Sequence, residues 1–163
     1  MSQVSMAETL RELGFLQGIS DEYLAQIAIV AERLSLPESK LVFREGEAAA
    51  DVFLVLHGSV SLEICAPGVG CRRILTVGSG ELLGWSPLLG QLRFTATART
   101  LTSTELLKIH AGQLLTLCEH NPRFGYEFMR CAAQALAKRL NATRMQLLDV
   151  YGQAMPTSDE AGK

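Results

Sequence analysis

The residues best suited to chemistry lie between Gly80 and Ala98, which reads GELLGWSPLLGQLRFTATA. A glycine turn leads into a short apolar stretch (Leu82, Leu83, Trp85, Leu88, Leu89), Gly90 interrupts it, and Phe94 to Thr100 is strand-like. The spacing predicts a short helix whose glycine-exposed start leaves backbone N–H groups free to meet an anion. Gly84, Trp85 and Ser86 would supply those amides, and Ser86 and Thr95 add hydroxyls. Trp85 and Phe94 present aromatic faces, which either fill a pocket or wall an apolar ligand by stacking. Arg93 is the neighbouring cation. Strand alternation turns it away from whatever Phe94 faces, unless the loop before the strand lets it swing toward an anion. With Ala96 and Thr97, these residues form the candidate ligand-contacting set.

The elements that must position this stretch change period twice along the chain. Met6 to Phe15 is expected to be a short amphipathic helix with Leu10 and Leu13 on one side. Ser20 is an N-cap for a second helix, whose first turn carries Asp21 and Glu22 and whose apolar positions are Leu24, Ile27, Ala28 and Ala31. From Leu34 to Ile109 the sequence reads as short strands separated by glycine: Leu41 to Glu45, Val52 to Leu56, Val60 to Ile64, Ile74 to Val77, Phe94 to Thr100 and Glu105 to Ile109. Regularly spaced turns between short strands predict a barrel or sandwich, best matched by a jelly roll. The helical period returns at Ala111 to Glu119. Asn121-Pro122 then starts a long helix to about Tyr151, with Phe124, Phe128, Cys131, Ala135, Leu136, Leu140 and Leu147 as its apolar stripe. Lys138, Arg139 and Arg144 suit the dipole of its C-terminal half. The expected organisation is helices over 1–33, a barrel over 34–110, helices over 111–151 and a disordered tail over 152–163, so the fold class is mainly β with flanking helices.

Three segments together resemble the cyclic nucleotide-binding domain family. Phe43-Arg-Glu-Gly-Glu, with Asp51 and then Phe53-Leu-Val-Leu-His-Gly-Ser-Val, is similar to the family's F-x-x-G-E…D-x-x-Y/F-x-V-x-x-G-x-V segment. The Gly80–Ala98 stretch resembles its phosphate-binding cassette, with Gly84 at the glycine position and Thr95-Ala96-Thr97 at the end. The resemblance covers roughly Leu13 to Leu148. It implies a ligand sensor whose C-terminal helix re-packs over the pocket on binding, and it implies pairing of two copies through that helix. Two family residues are replaced. Trp85 stands where a glutamate grips the ribose hydroxyl, and Phe94 where an arginine neutralises the cyclic phosphate.

Other chemistries lack their residues. His57, His110 and His120 are isolated along the chain, Glu45, Glu47 and Glu81 belong to glycine turns, and no nucleophile elbow or phosphate-binding Walker loop occurs. No catalytic or metal site is therefore expected, and no cofactor beyond a small anionic or aromatic ligand. The formal charge of −2 gives no general attraction to nucleic acid. Only Gly152 to Lys163 follows the long helix, so no sequence-specific DNA binding is expected. With no membrane span and no signal-peptide core, the expected location is the cytoplasm. Cys65, Cys71, Cys118 and Cys131 are read as reduced, partly buried thiols, although Cys65 and Cys71 flank a Pro-Gly turn and could face each other or act as a redox switch. Three functions stay open at this point: a sensor of some other small ligand acting through a partner protein or a homodimer, a cAMP or cGMP receptor with a rearranged pocket, and an interaction scaffold with a filled pocket.

Overall fold

The computed structural model describes residues 3–152. The N-terminal part holds α1 (Gln3–Arg11), a 3-10 turn (Gly14–Leu16) and α2 (Asp21–Val30). Eight strands follow: β1 (Ala31–Leu36), β2 (Leu41–Phe43), β3 (Asp51–His57), β4 (Ser59–Ala66), β5 (Gly70–Gly78), β6 (Leu82–Leu83), β7 (Thr97–Thr100) and β8 (Thr104–His110). A second 3-10 turn (Ser86–Leu89) lies between β6 and β7, and α3 (Ala111–His120) and α4 (Pro122–Gly152) close the chain. The strands make two four-stranded antiparallel sheets, ordered β1-β8-β3-β6 and β2-β7-β4-β5. This is the expected jelly roll with flanking helices.

Two apolar cores share one wall. Along β3, Phe53 and Val55 point into the barrel, where they meet Phe43, Val60, Leu62, Val77, Leu83, Phe94, Ala98 and Leu106. Val52, Leu54 and Leu56 point the other way, against Leu10, Leu16, Leu24, Ile27, Leu114, Phe124 and Phe128 of the helical layer. A strand reverses its side chains at every residue, so a strand covered on both faces must be apolar throughout. That accounts for the unbroken run Val-Phe-Leu-Val-Leu. The turn after it needs Gly58: φ is +93°, and a Cβ there would lie 2.6 Å from the Ser103 carbonyl oxygen.

The helical layer is tied together by a few polar contacts. Asn121 Oδ1, at the joint of α3 and α4, accepts from the Phe124 N–H at 3.4 Å and from the Tyr23 hydroxyl at 3.5 Å. Arg33 on β1 pairs with Glu105 on β8 and donates to Thr9 Oγ1 at 2.9 Å, joining α1 to the sheet edge.

Several sequence expectations change. The N-terminal helix ends at Arg11, and Gly14 to Leu16 forms a 3-10 turn. Ala31 closes α2 in an extended conformation and opens β1, pairing with Ile109, so the barrel starts at residue 31 and not 34. Leu82 and Leu83 are a strand paired with β3, not the start of a helix. Phe94 to Ala96 precedes β7 as irregular chain. Ser20 occupies the N-cap position of α2 without a side-chain capping bond. Cys65 and Cys71 form a disulfide, because the β4–β5 register sets them directly opposite each other. Cys118 and Cys131 are free. The expected tail lies outside the described residues beyond Gly152, which itself ends α4. No helix among the described residues is long and apolar enough to cross a membrane.

Candidate functional site

Phe94 fixes the geometry of the site. Its N–H donates to the Glu47 carbonyl at 3.0 Å, and its own carbonyl accepts from the Gly46 N–H at 2.8 Å. Clamped to that loop, its ring turns inward and stacks on Phe43 with centroids 3.8 Å apart and planes 14° from parallel. Phe43 in turn stacks on Phe53 at 5.8 Å. Gly84 lies against this aromatic column. Its φ is +72°, and a Cβ would come within 3.1–3.3 Å of the Phe43, Phe53 and Phe94 rings. The ring at position 94 therefore belongs to the barrel core.

A cavity of about 400 Å³ remains between the barrel mouth and α4. Trp85, half-buried at the head of the 3-10 turn, forms one wall. Its other side packs on the helical core. Ser86, buried to 3% exposure, and Thr95 bring hydroxyls to the lining, and Ala96 a methyl. Leu62, Ile64, Ile74 and Leu75 enter from the β4–β5 hairpin. Leu136, Arg139, Leu140 and Thr143 enter from α4 at i, i+3, i+4 and i+7, which sets them on one helical face.

Six of the eight candidate residues, Gly84, Trp85, Ser86, Phe94, Thr95 and Ala96, thus meet at the cavity. Arg93 and Thr97 do not. Arg93 is exposed and donates from Nη1 to the Gly46 carbonyl at 2.6 Å, held on the far side of the chain from Phe94 by the bridge between Arg93 and Ala48. Thr97 is buried, with Oγ1 accepting from the Glu45 N–H at 3.1 Å. The expected anion-binding helix is a four-residue 3-10 turn with Pro87 at its start, so few amides converge there. Glu81 accepts from the Gly78 N–H at 2.7 Å and Glu47 from the Arg44 N–H at 3.2 Å, the turn roles read from the sequence. No group of histidine, cysteine or carboxylate side chains that could hold a metal occurs among the described residues.

Arg139 is the residue that sequence reasoning assigned elsewhere. It points into the fold from α4, where burial lowers its pKa and the nearby Glu81 carboxylate opposes that shift. Its Nη2 atom is buried with no hydrogen-bond partner. It is the one charged side chain among the residues lining the cavity. The sequence gives Lys138 and Arg139 the same role, complementing the dipole of the C-terminal half of the long helix, and only packing of α4 onto the barrel distinguishes the two residues.

Residues 33–121, just over half of the chain, match the sequence model of the cyclic nucleotide-binding domain. A CRP-like cAMP-activated global transcriptional regulator of Mycobacterium tuberculosis is 24% identical over 93% of this chain. The chain spans 66% of that regulator's length. The catabolite activator protein of Thermus thermophilus superposes with a TM-score of 0.68 at 27% identity, over 85% of this chain and 62% of that one. A cyclic nucleotide-binding domain from Methylobacillus flagellatus shares the fold, with a TM-score of 0.77 at 18% identity over 90% of this chain and 83% of its own.

Proposed function

Because this chain belongs to the cyclic nucleotide-binding domain family, we propose that it is a non-enzymatic, ligand-sensing regulatory module whose ligand is neither cAMP nor cGMP. The observation that carries this reading is the position of Phe94. The family resemblance assigns that position to the phosphate-neutralising arginine, and here it holds a phenyl ring stacked on Phe43 inside the barrel. A cyclic phosphate in the cassette would lose a charge-assisted hydrogen bond worth about 1.5–3 kcal/mol. Trp85 in place of the ribose carboxylate removes about 1 kcal/mol more. Together these weaken binding on the order of tenfold to a thousandfold or more.

The cavity of about 400 Å³ beneath α4 favours a sensor over a scaffold with a filled pocket, since it lies within the range of small-molecule sites. Four α4 residues line it, so a ligand there bears directly on how α4 packs. The output is read from α4 by a partner protein or a second copy of the chain.

Trp85 is the chain's single tryptophan, so its fluorescence reports on the cavity. Titrating cAMP and cGMP against that signal, with calorimetry in parallel, is expected to show no saturation below the high-micromolar range. Saturable binding near about one micromolar would establish instead a cyclic nucleotide receptor with a rearranged pocket.

A further inference from the structure

The cavity beneath α4 combines a nearly continuous apolar lining with one cation. Phe43, Leu62, Leu75, Trp85 and Leu136 supply rings and branched aliphatic surface, and Arg139 supplies the charge. A guanidinium stays ionised in proteins, so burial cannot be relieved by losing its proton. A buried charged group lacking a partner is unfavourable until something pairs with it. Arg139 is half-buried, and one nitrogen of its guanidinium, Nη2, is buried without a hydrogen-bond partner. Glu81, the carboxylate closest in electrostatic effect, is already bonded to the Gly78 N–H, and no ion pair joins it to Arg139 among the described residues. The fork of a guanidinium fits one carboxylate through two parallel N–H···O bonds. A phosphate dianion would want further cations, and none of the other lining residues is charged.

We propose that the cavity binds a small organic carboxylate with an aromatic or branched aliphatic body, its carboxylate held by Arg139 and its body by the Trp85 and β4–β5 walls. This rests on the sensor reading of the same cavity and adds the chemical class of the ligand. The anion approaches from the α4 side and not from the cassette, so its pairing with Arg139 draws α4 toward the barrel.

The test uses the full chain with benzoate, 3-phenylpropanoate and 4-methylpentanoate as probes, their neutral amides as isosteres, and inorganic phosphate as an anion without an apolar body. Trp85 fluorescence and calorimetry are the readouts. At least one carboxylate is expected to saturate, with its amide about tenfold to a hundredfold weaker and phosphate not competing. Arg139→Gln should weaken that carboxylate by a similar factor while leaving the amide unchanged, and Arg139→Lys should fall between. Without ligand, Arg139→Gln should melt at the same temperature as the wild type or higher, because it removes a guanidinium nitrogen buried without a partner. A lower melting temperature for Arg139→Gln would mean the guanidinium is satisfied by the fold, and would overturn the proposal. So would carboxylates and amides binding equally, or no carboxylate saturating below about 10 mM. If amides bind while carboxylates gain nothing, the sensor reading survives and the ligand class fails. Tight cyclic nucleotide binding defeats both.

Discussion

Phe94 holds the barrel mouth together from inside, and its removal should be felt as a core substitution. Phe94→Ala deletes the ring stacked on Phe43 and is expected to destabilise by about 3–5 kcal/mol, read from the midpoint of urea unfolding. An unchanged midpoint would mean the ring lies outside the core. Gly84→Ala tests the same column from its other side. A side chain at φ +72°, against three phenyl rings, should cost about 1–3 kcal/mol and quench or shift Trp85 emission. A variant as stable as wild type would show that the column can move aside. Trp85 and Phe94 were legible in the sequence because the cassette is local, with its spacing carried in one short stretch. Arg139 was not, since its burial arises from a helix packing on a barrel distant in sequence, and no local pattern records that contact.

The β4–β5 hairpin and the α3–α4 pair hold the cysteines in opposite states. Unfolding the protein without reductant in the presence of an alkylating agent, followed by intact-mass analysis, is expected to find two reactive thiols, with four after reduction. Four thiols without reductant would count against the hairpin disulfide. Burial raises the pKa of Cys118 and Cys131, so both stay protonated and react slowly at neutral pH until the chain unfolds. The sign follows from linkage. With the folded pKa above the unfolded one, the contribution of these thiols is full below about pH 8.5 and is lost as pH rises through the folded values. Replacing both with serine or alanine should flatten that alkaline loss; an unchanged slope would assign it elsewhere. At this scale the sequence was informative wherever a strand met a glycine turn and wherever α4 kept its stripe. It misled where two elements abut without a turn residue. Ala31 continues the apolar period of α2 but pairs with Ile109, and Leu82-Leu83 is too short a strand for alternation to appear. The disulfide depended on a hairpin register that composition does not reveal.

At the scale of the whole molecule, α4 outruns the body it packs on. Its first turns bury Phe124, Phe128, Cys131 and Ala132, whereas Leu140, Met145, Leu147, Leu148 and Val150 are more than half exposed. Past the turns that line the cavity, Met145, Leu147, Leu148 and Val150 leave apolar surface uncovered on this half of the helix. A dimer through this exposed apolar surface is expected at micromolar concentration. Leu147→Lys should yield monomers in sedimentation equilibrium without lowering secondary-structure content, and a wild-type chain that stays monomeric would refute the pairing. The wall shared by the two cores has its own outcome. Because β3 seals the barrel on one face and the helical layer on the other, neither layer can come apart without stripping it bare. Amide protons of Val52 to Leu56 should therefore exchange with deuterium only when the entire chain opens, among the slowest in the protein and at the free energy of global unfolding. Heating should likewise show the helices and the barrel melting in one step, as a single cooperative unit whose hinge and whose lock are the same five residues.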